Sequence, residues 1–276
     1  MPDELDIEGF EFDAAEAKEG DPVEARARAH IQKFFEGENE AVFFSRQIEI
    51  LFERHFFHWI AARVLRYLVE VERIRTENRI LPSTGGAIHL FWNRKYRYYR
   101  RAADELVRLV SEYADPNVAA AIGIHGEGMV LEAFAKEQFV LKGRETSEWQ
   151  GRRWTRTNHD FDFIFERDGV AYAVEVKNTL GYPVHDEIIT KLAMAKFMRA
   201  TPVFVARMLP RTVINEIWRA GGFALILKYQ LYPYSHRALA KRVAEVLRLP
   251  VDSPRRLSDG TMKRFTDWHA KRLKSM

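Results

Sequence analysis

The stretch DFDFIFERDGVAYAVEVKN, Asp160 to Asn178, sets Glu175 and Lys177 one residue apart and Asp162 thirteen positions ahead of Glu175. Phe161, Phe163 and Phe165 alternate with Asp160, Asp162 and Ile164, and Tyr172, Val174 and Val176 alternate with Ala173, Glu175 and Lys177. That period of two predicts two strands joined by a tight turn at ERDG. Strand parity then places Asp160 and Asp162 on one face, and Glu175 with Lys177 on one face of the partner strand. Buried ionised groups without partners are costly, so an inward carboxylate cluster is tolerated only when paired or bound to metal. Asp162, Glu175 and the main-chain carbonyl of Val176 are hard oxygen donors of the kind that suit Mg²⁺ or Mn²⁺. Lys177 beside them is suited to orient or help deprotonate a water, or to steady negative charge growing on a phosphate. Taken alone, Glu-x-Lys reads first as a structural Glu–Lys ion pair at a strand end. The chain has no cysteine, which removes disulfides, thiolate zinc sites and a cysteine nucleophile and leaves carboxylates, histidines and main-chain oxygens as metal donors.

Several elements must position these groups. In NVAAAIGIHGEGMVLEAFAKEQFV, Glu127, Val130, Leu131 and Phe134 fall on one helical face, so Glu127 is a carboxylate on an apolar stripe. Glu132 lies five residues on and points elsewhere. The pattern predicts a helix at Ala119 to Phe139 and strands near Trp149 to Thr155, Asp160 to Phe165 and Ala171 to Lys177. A helix near Asp186 to Ala200 and the strand PVFVARM come next, and TVINEIWRAG and FALILKY continue the α/β alternation. His125 and His159 read as polar caps outside the catalytic set, and Lys191 as a surface lysine within reach of a phosphate.

The order helix, three strands, helix, strand, with Asp162, Glu175 and Lys177 in place, resembles the PD-(D/E)xK nuclease superfamily of restriction-type endonucleases and Holliday junction resolvases. The likeness covers roughly Ala119 to Tyr229. It implies an α/β restriction-endonuclease-like core, a mixed central sheet flanked by helices. It makes Asp162 and Glu175 the metal-binding acids, Lys177 the catalytic lysine and Glu127 the helix acid that completes the site, with Mg²⁺ or Mn²⁺ as cofactor. The proline that often precedes the first acid is Phe161 here, and the D-F-D doublet leaves Asp160 as a competitor for the metal.

The N-terminal part has a different character. Met1 to Glu24 carries ten acidic residues against Lys18, and residues 1–38 read as an acidic, disordered tail. From Asn39 to Trp92 the order helix, helix, hairpin resembles a winged helix-turn-helix, a mainly helical DNA-binding domain over 39–99. The helix Ala61 to Val71 stands as recognition helix and presents Arg63, Arg66 and Tyr67. WNRKYRYYRR adds Arg94, Lys95 and Arg97 among tyrosines, a composition suited to phosphates and stacked bases and equally to a solvated basic edge. A linking helix occupies 100–118, the nuclease core 119–234, and a basic helical extension 235–276, where eleven Lys and Arg face four acids. No run approaches the roughly 18 apolar residues of a membrane span and the acidic N-terminus lacks signal-peptide character, so a cytoplasmic protein without a membrane partner is expected. The expected partner is DNA; a homodimer, a helicase and a defence or repair protein stay open as further partners. Two functions follow: a metal-dependent DNA endonuclease, or a non-catalytic DNA-binding adaptor on a retired nuclease scaffold.

Overall fold

The computed structural model describes residues 21–275. The chain divides into two compact units, Met1–Ala120 with Lys241–Leu249 and Ala121–Ala240 with Pro250–Met276.

In the first unit, helix α1 (Pro22–Gly37) starts where the Asp21 side chain accepts the Val23 N–H at 2.9 Å, with proline in the first turn. Ala27, Ile31 and Phe35 recur every four residues along it and are buried. They join Phe43, Ile48, Ile60, Val64 and Leu68 in one apolar cluster. Strand β1 (Val42–Phe44), helices α2 (Ser45–Phe52) and α3 (His58–Glu70), and strands β2 (Ile74–Ile80) and β3 (Ala87–Asn93) follow. The strands form an antiparallel sheet in the order β1–β3–β2. Helix α4 (Tyr99–Tyr113) comes next. This corrects the expectation of a disordered tail over 1–38. Residues 22–37 are helical and core-forming, their sparse stripe hidden among charged neighbours; residues 1–20 lie outside the described residues.

Helix α5 (Pro116–Lys136) leads to strands β4 (Val140–Thr146), β5 (Glu148–Trp149), β6 (Arg152–Arg153), β7 (Phe161–Arg167) and β8 (Val170–Lys177). Then come α6 (His185–Met198), β9 (Thr201–Ala206), α7 (Arg211–Arg219), β10 (Phe223–Ile226), β11 (Gln230–Leu231), α8 (Arg237–Val246), β12 (Val251–Asp252) and α9 (Asp259–Ser275). The main sheet of the second unit is mixed, in the order β10–β9–β8–β7–β4. β4, β7 and β8 are antiparallel, and β8, β9 and β10 run parallel. Both faces are covered, which is why β8 is buried along almost its whole length. Val130 and Phe134 of α5 and Phe265 of α9 pack with Phe163, Tyr172 and Val174 on one side. Met194, Ala195 and Met198 of α6 pack with Phe161, Ile164 and Ala173 on the other.

Three further expectations change. The first strand of the sheet is β4, not Trp149–Thr155, which holds only Trp149 of β5 and the two residues of β6, arms of a separate hairpin. β4 is an edge strand whose residues are largely exposed, so VLKGRET carries no apolar alternation to read. The basic segment 235–276 is divided between the units rather than forming one extension, with Lys241–Leu249 in the first and the residues on either side of it in the second. Helix α5 is also long and apolar enough to cross a membrane by length and composition, contrary to the expectation that no segment is; its Val130–Phe134 stripe lies in the core of the second unit.

Candidate active site

The β7–β8 hairpin turns through Asp168 (φ 52°) and Gly169 (φ 72°), two successive left-handed residues as a two-residue type I′ turn requires. Its register runs from Arg167↔Val170 to Phe163↔Val174 and stops. Past that point Asp162 takes over from the backbone ladder, its Oδ2 accepting the Val176 N–H at 2.6 Å. The free end of the hairpin therefore brings Asp162 to the stretch that carries Glu175 and Lys177. Tyr172, Val174 and Val176 pack with the α5 side, whereas Ala173 packs with α6. By strand alternation Glu175 belongs to the α6 face.

There Glu175, only 3% exposed, meets two lysines. Lys177 Nζ lies 3.3 Å from Glu175 Oε1 and 2.8 Å from Glu187 Oε1 of α6. Lys191 Nζ lies 2.5 Å from Glu175 Oε2, donates to the Asp160 carbonyl, and sits 5.3 Å from the centre of the Phe161 ring. Burial is the largest influence on Asp162 and, with the repulsion of Glu175, pushes its carboxyl up to about 8 against the pull of the Val176 N–H. Glu175 is also raised, by burial first, with Lys191 and Lys177 drawing it back. Burial raises Glu127 in the same sense; Arg144, whose Nη2 is 4.0 Å from Glu127 Oε2, opposes the rise, and the charges of Glu145, Glu175 and Asp160 add to it.

Of the residues expected from sequence, Asp162, Glu175, Val176 and Lys177 are brought together. Among the described residues no three His, Asp or Glu side chains converge as a metal-holding group. Glu127 accordingly stands within electrostatic reach of the acids without joining them in a chelating cluster. Asp160 is exposed, and what it gives the site is its main-chain carbonyl. Lys191 is not a surface lysine awaiting a phosphate; at 3% exposure it is the inner partner of Glu175. Its burial had a signal in sequence, since Ile188, Lys191, Ala195 and Met198 form a three-and-four stripe with lysine as its one charged member.

Two supports were not anticipated. Glu187 holds the outer lysine, four residues before Lys191 on the same helix. Asn178, directly after Lys177, is buried and ties the strand end down: its Nδ2 donates to the carbonyls of Ile122 and Leu231, both at 2.8 Å, and its Oδ1 accepts the Leu231 N–H at 2.7 Å. α5 approaches so closely that a Cβ on Gly126 would stand 2.6 Å from Asn178 Cβ. That glycine allows the neighbouring Glu127 to come near the strand end.

The expected DNA-contacting residues divide as well. Arg63 Nη2 pairs with Glu24 of α1 at 2.8 Å and its guanidinium lies over Trp59, while Tyr67 is covered by Arg28. Both are half-buried and have these partners within the first unit. Arg66 is half-buried, whereas Arg94, Lys95 and Arg97 are exposed.

No family model matches this chain, and no curated protein matches it. A solved structure, the crystal structure of protein VC1899 from Vibrio cholerae, aligns at 12% identity with a TM-score of 0.29, covering 84% of this chain and 52% of that one. The chain thus spans about half of that protein, in a likeness too slight to bear on fold or function.

Proposed function

We propose that the chain is a metal-dependent DNA endonuclease of the restriction-endonuclease-like class, with the phosphodiester cut at Asp162, Glu175 and Lys177. The observation that carries this reading is the convergence of Asp162 and Glu175 where β7 and β8 part, with Lys177 beside them. Buried Glu175 and half-buried Asp162, the latter raised further by the Glu175 charge, form a donor set whose chemistry fits a hard divalent cation, completed by the Val176 carbonyl. Mg²⁺ or Mn²⁺ bound there would supply positive charge for the scissile phosphate and polarise the attacking water. The chain's own groups do the rest. Lys177, between Glu175 and Glu187, presents its ammonium where charge grows on the phosphate. Glu187 keeps that ammonium from collapsing fully onto Glu175, and Asn178 holds the end of β8 in place.

DNA docking is assigned to the first unit. Helix, strand, two helices and a hairpin, with sheet order β1–β3–β2, support a winged-helix arrangement, and of the cations expected to meet DNA, Arg94, Lys95 and Arg97 are the exposed ones.

The test is cleavage of plasmid, linear, single-stranded, flap and junction DNAs with Mg²⁺, Mn²⁺ or chelator, at several salt concentrations. Cutting by the natural chain that disappears in Lys177→Ala and Asp162→Ala is the expected result. The second reading, a DNA-binding adaptor without catalysis, is favoured by one observation: both oxygens of Glu175 are already occupied by lysines. Equal DNA binding by all three proteins with no cleavage by any would establish it instead.

A further inference from the structure

The two lysines on Glu175 are held very differently. Lys177 is 3.3 Å from Oε1, its side chain is 19% exposed, and Glu187 offers a second carboxylate at 2.8 Å. It can give up Oε1 without losing an ionic partner. Lys191 is 2.5 Å from Oε2 with its side chain 4% exposed. The Asp160 carbonyl and the Phe161 ring enclose it, and it rises from the buried stripe of α6 between Ile188 and Ala195. Among the described ion pairs its one carboxylate is Glu175. Pulling it away would strand a buried ammonium, a far larger cost than exchanging a partly exposed pair.

Glu175 therefore has one exchangeable oxygen and one permanently neutralised oxygen. A divalent cation shared with Asp162 can use Oε1, whereas a second ion would need Oε2 and would meet the Lys191 ammonium. We propose that Lys191 is a built-in cation that limits the site to a single divalent ion per chain. It acts as a positioning residue, through Glu175, and the inference rests on the nuclease reading of Asp162 and Glu175.

The experiment counts Mn²⁺ bound at saturation, by calorimetric titration and by electron paramagnetic resonance. It uses the natural chain, Lys191→Met, Lys191→Arg and Asp162→Ala, with folding checked by circular dichroism. One ion per chain is expected for the natural protein and for Lys191→Arg, which keeps the charge. Lys191→Met is expected to take two, with Mn–Mn coupling in the spectrum and the first ion bound about tenfold more tightly, since a nearby positive charge has gone. Two ions in the natural chain, or one in folded Lys191→Met, would overturn the proposal while leaving the nuclease reading intact. No Mn²⁺ on the natural chain, with Asp162→Ala indistinguishable from it, would overturn both. If Lys191→Met does not fold, Lys191→Gln, neutral and able to donate to the Asp160 carbonyl, takes its place: two ions are expected, and one would overturn the proposal.

Discussion

The β7–β8 hairpin has a polar cluster at each end, and the two obey opposite rules. At the turn, Asp168 Oδ2 lies 2.9 Å from His269 Nε2, and His269 Nδ1 lies 2.5 Å from the Tyr172 hydroxyl. A single tautomer satisfies this chain, with Tyr172 donating to Nδ1 and Nε2–H donating to Asp168. Its groups are stabilised in the forms that the chain uses. The His269 hydrogen bond holds Asp168 below the usual carboxylate range, and burial pushes the Tyr172 hydroxyl up to about 12. At the other end Asp162 and Glu175 are both raised, each made harder to ionise by burial and Asp162 further by its neighbour. The complete network is architecture, a latch that fastens α9 to the hairpin. The frustrated one retains charges that a purely structural hairpin would discard, and that cost is the physical ground on which a cation site is proposed there.

Breaking each end should give opposite phenotypes. The largest effect is on cleavage: Asp162→Ala or Lys177→Ala should lower the rate on the order of 10³-fold, about 4 kcal/mol of transition-state stabilisation, with the fold retained by circular dichroism. His269→Ala should do the reverse, costing about 3 kcal/mol of stability in a denaturant titration, because it opens a cavity and orphans the Tyr172 hydroxyl. Its cleavage rate per folded molecule should stay unchanged.

The pH dependence of stability sharpens the comparison. Asp162 rises from its ordinary 3.8 to about 8 on folding, so the native state keeps a proton that the unfolded chain has released. Stability from this group is full below about pH 4 and is lost as the pH climbs through about 8. Asp162→Asn, which cannot ionise, should gain on the natural chain by on the order of 2 kcal/mol between pH 5 and 9 in metal-free denaturation. A gap between the two that stays constant with pH would contradict the raised carboxyl. Smallest is Gly126→Ala, whose new methyl group must push aside Asn178. It should cost about 1–2 kcal/mol of stability and lower cleavage severalfold by shifting the strand end, measured by melting and initial rate.

Much of the second unit was legible from the chain. Strong alternation in FDFIFER and VAYAVEVK yielded both strands and the turn between them, and the apolar stripe from Val130 to Phe134 yielded α5. The reading failed where the pattern was weak or ambiguous. Edge strand β4 exposes most of its residues and so lacks a periodic signal. α1 was obscured by charges around a stripe of three buried residues. Arg63 looked outward because a helical wheel shows which residues leave the main stripe, but not that Glu24 on another helix waits there.

By itself the sequence determined two paired strands with Glu175 and Lys177 on one face of β8, because a period of two leaves each side chain there one choice of face; on β7 the expected parity breaks next to Asp162, where Phe161 joins the α6-side cluster while Phe163 joins the α5-side one. Only the tertiary structure decided the partners: that Lys191 closes one side of Glu175, that Glu187 draws Lys177 outward, and that Glu127 remains at a distance. Those outcomes depend on how α5 and α6 pack across the two faces of the sheet, contacts between residues far apart in the chain that local periodicity does not encode.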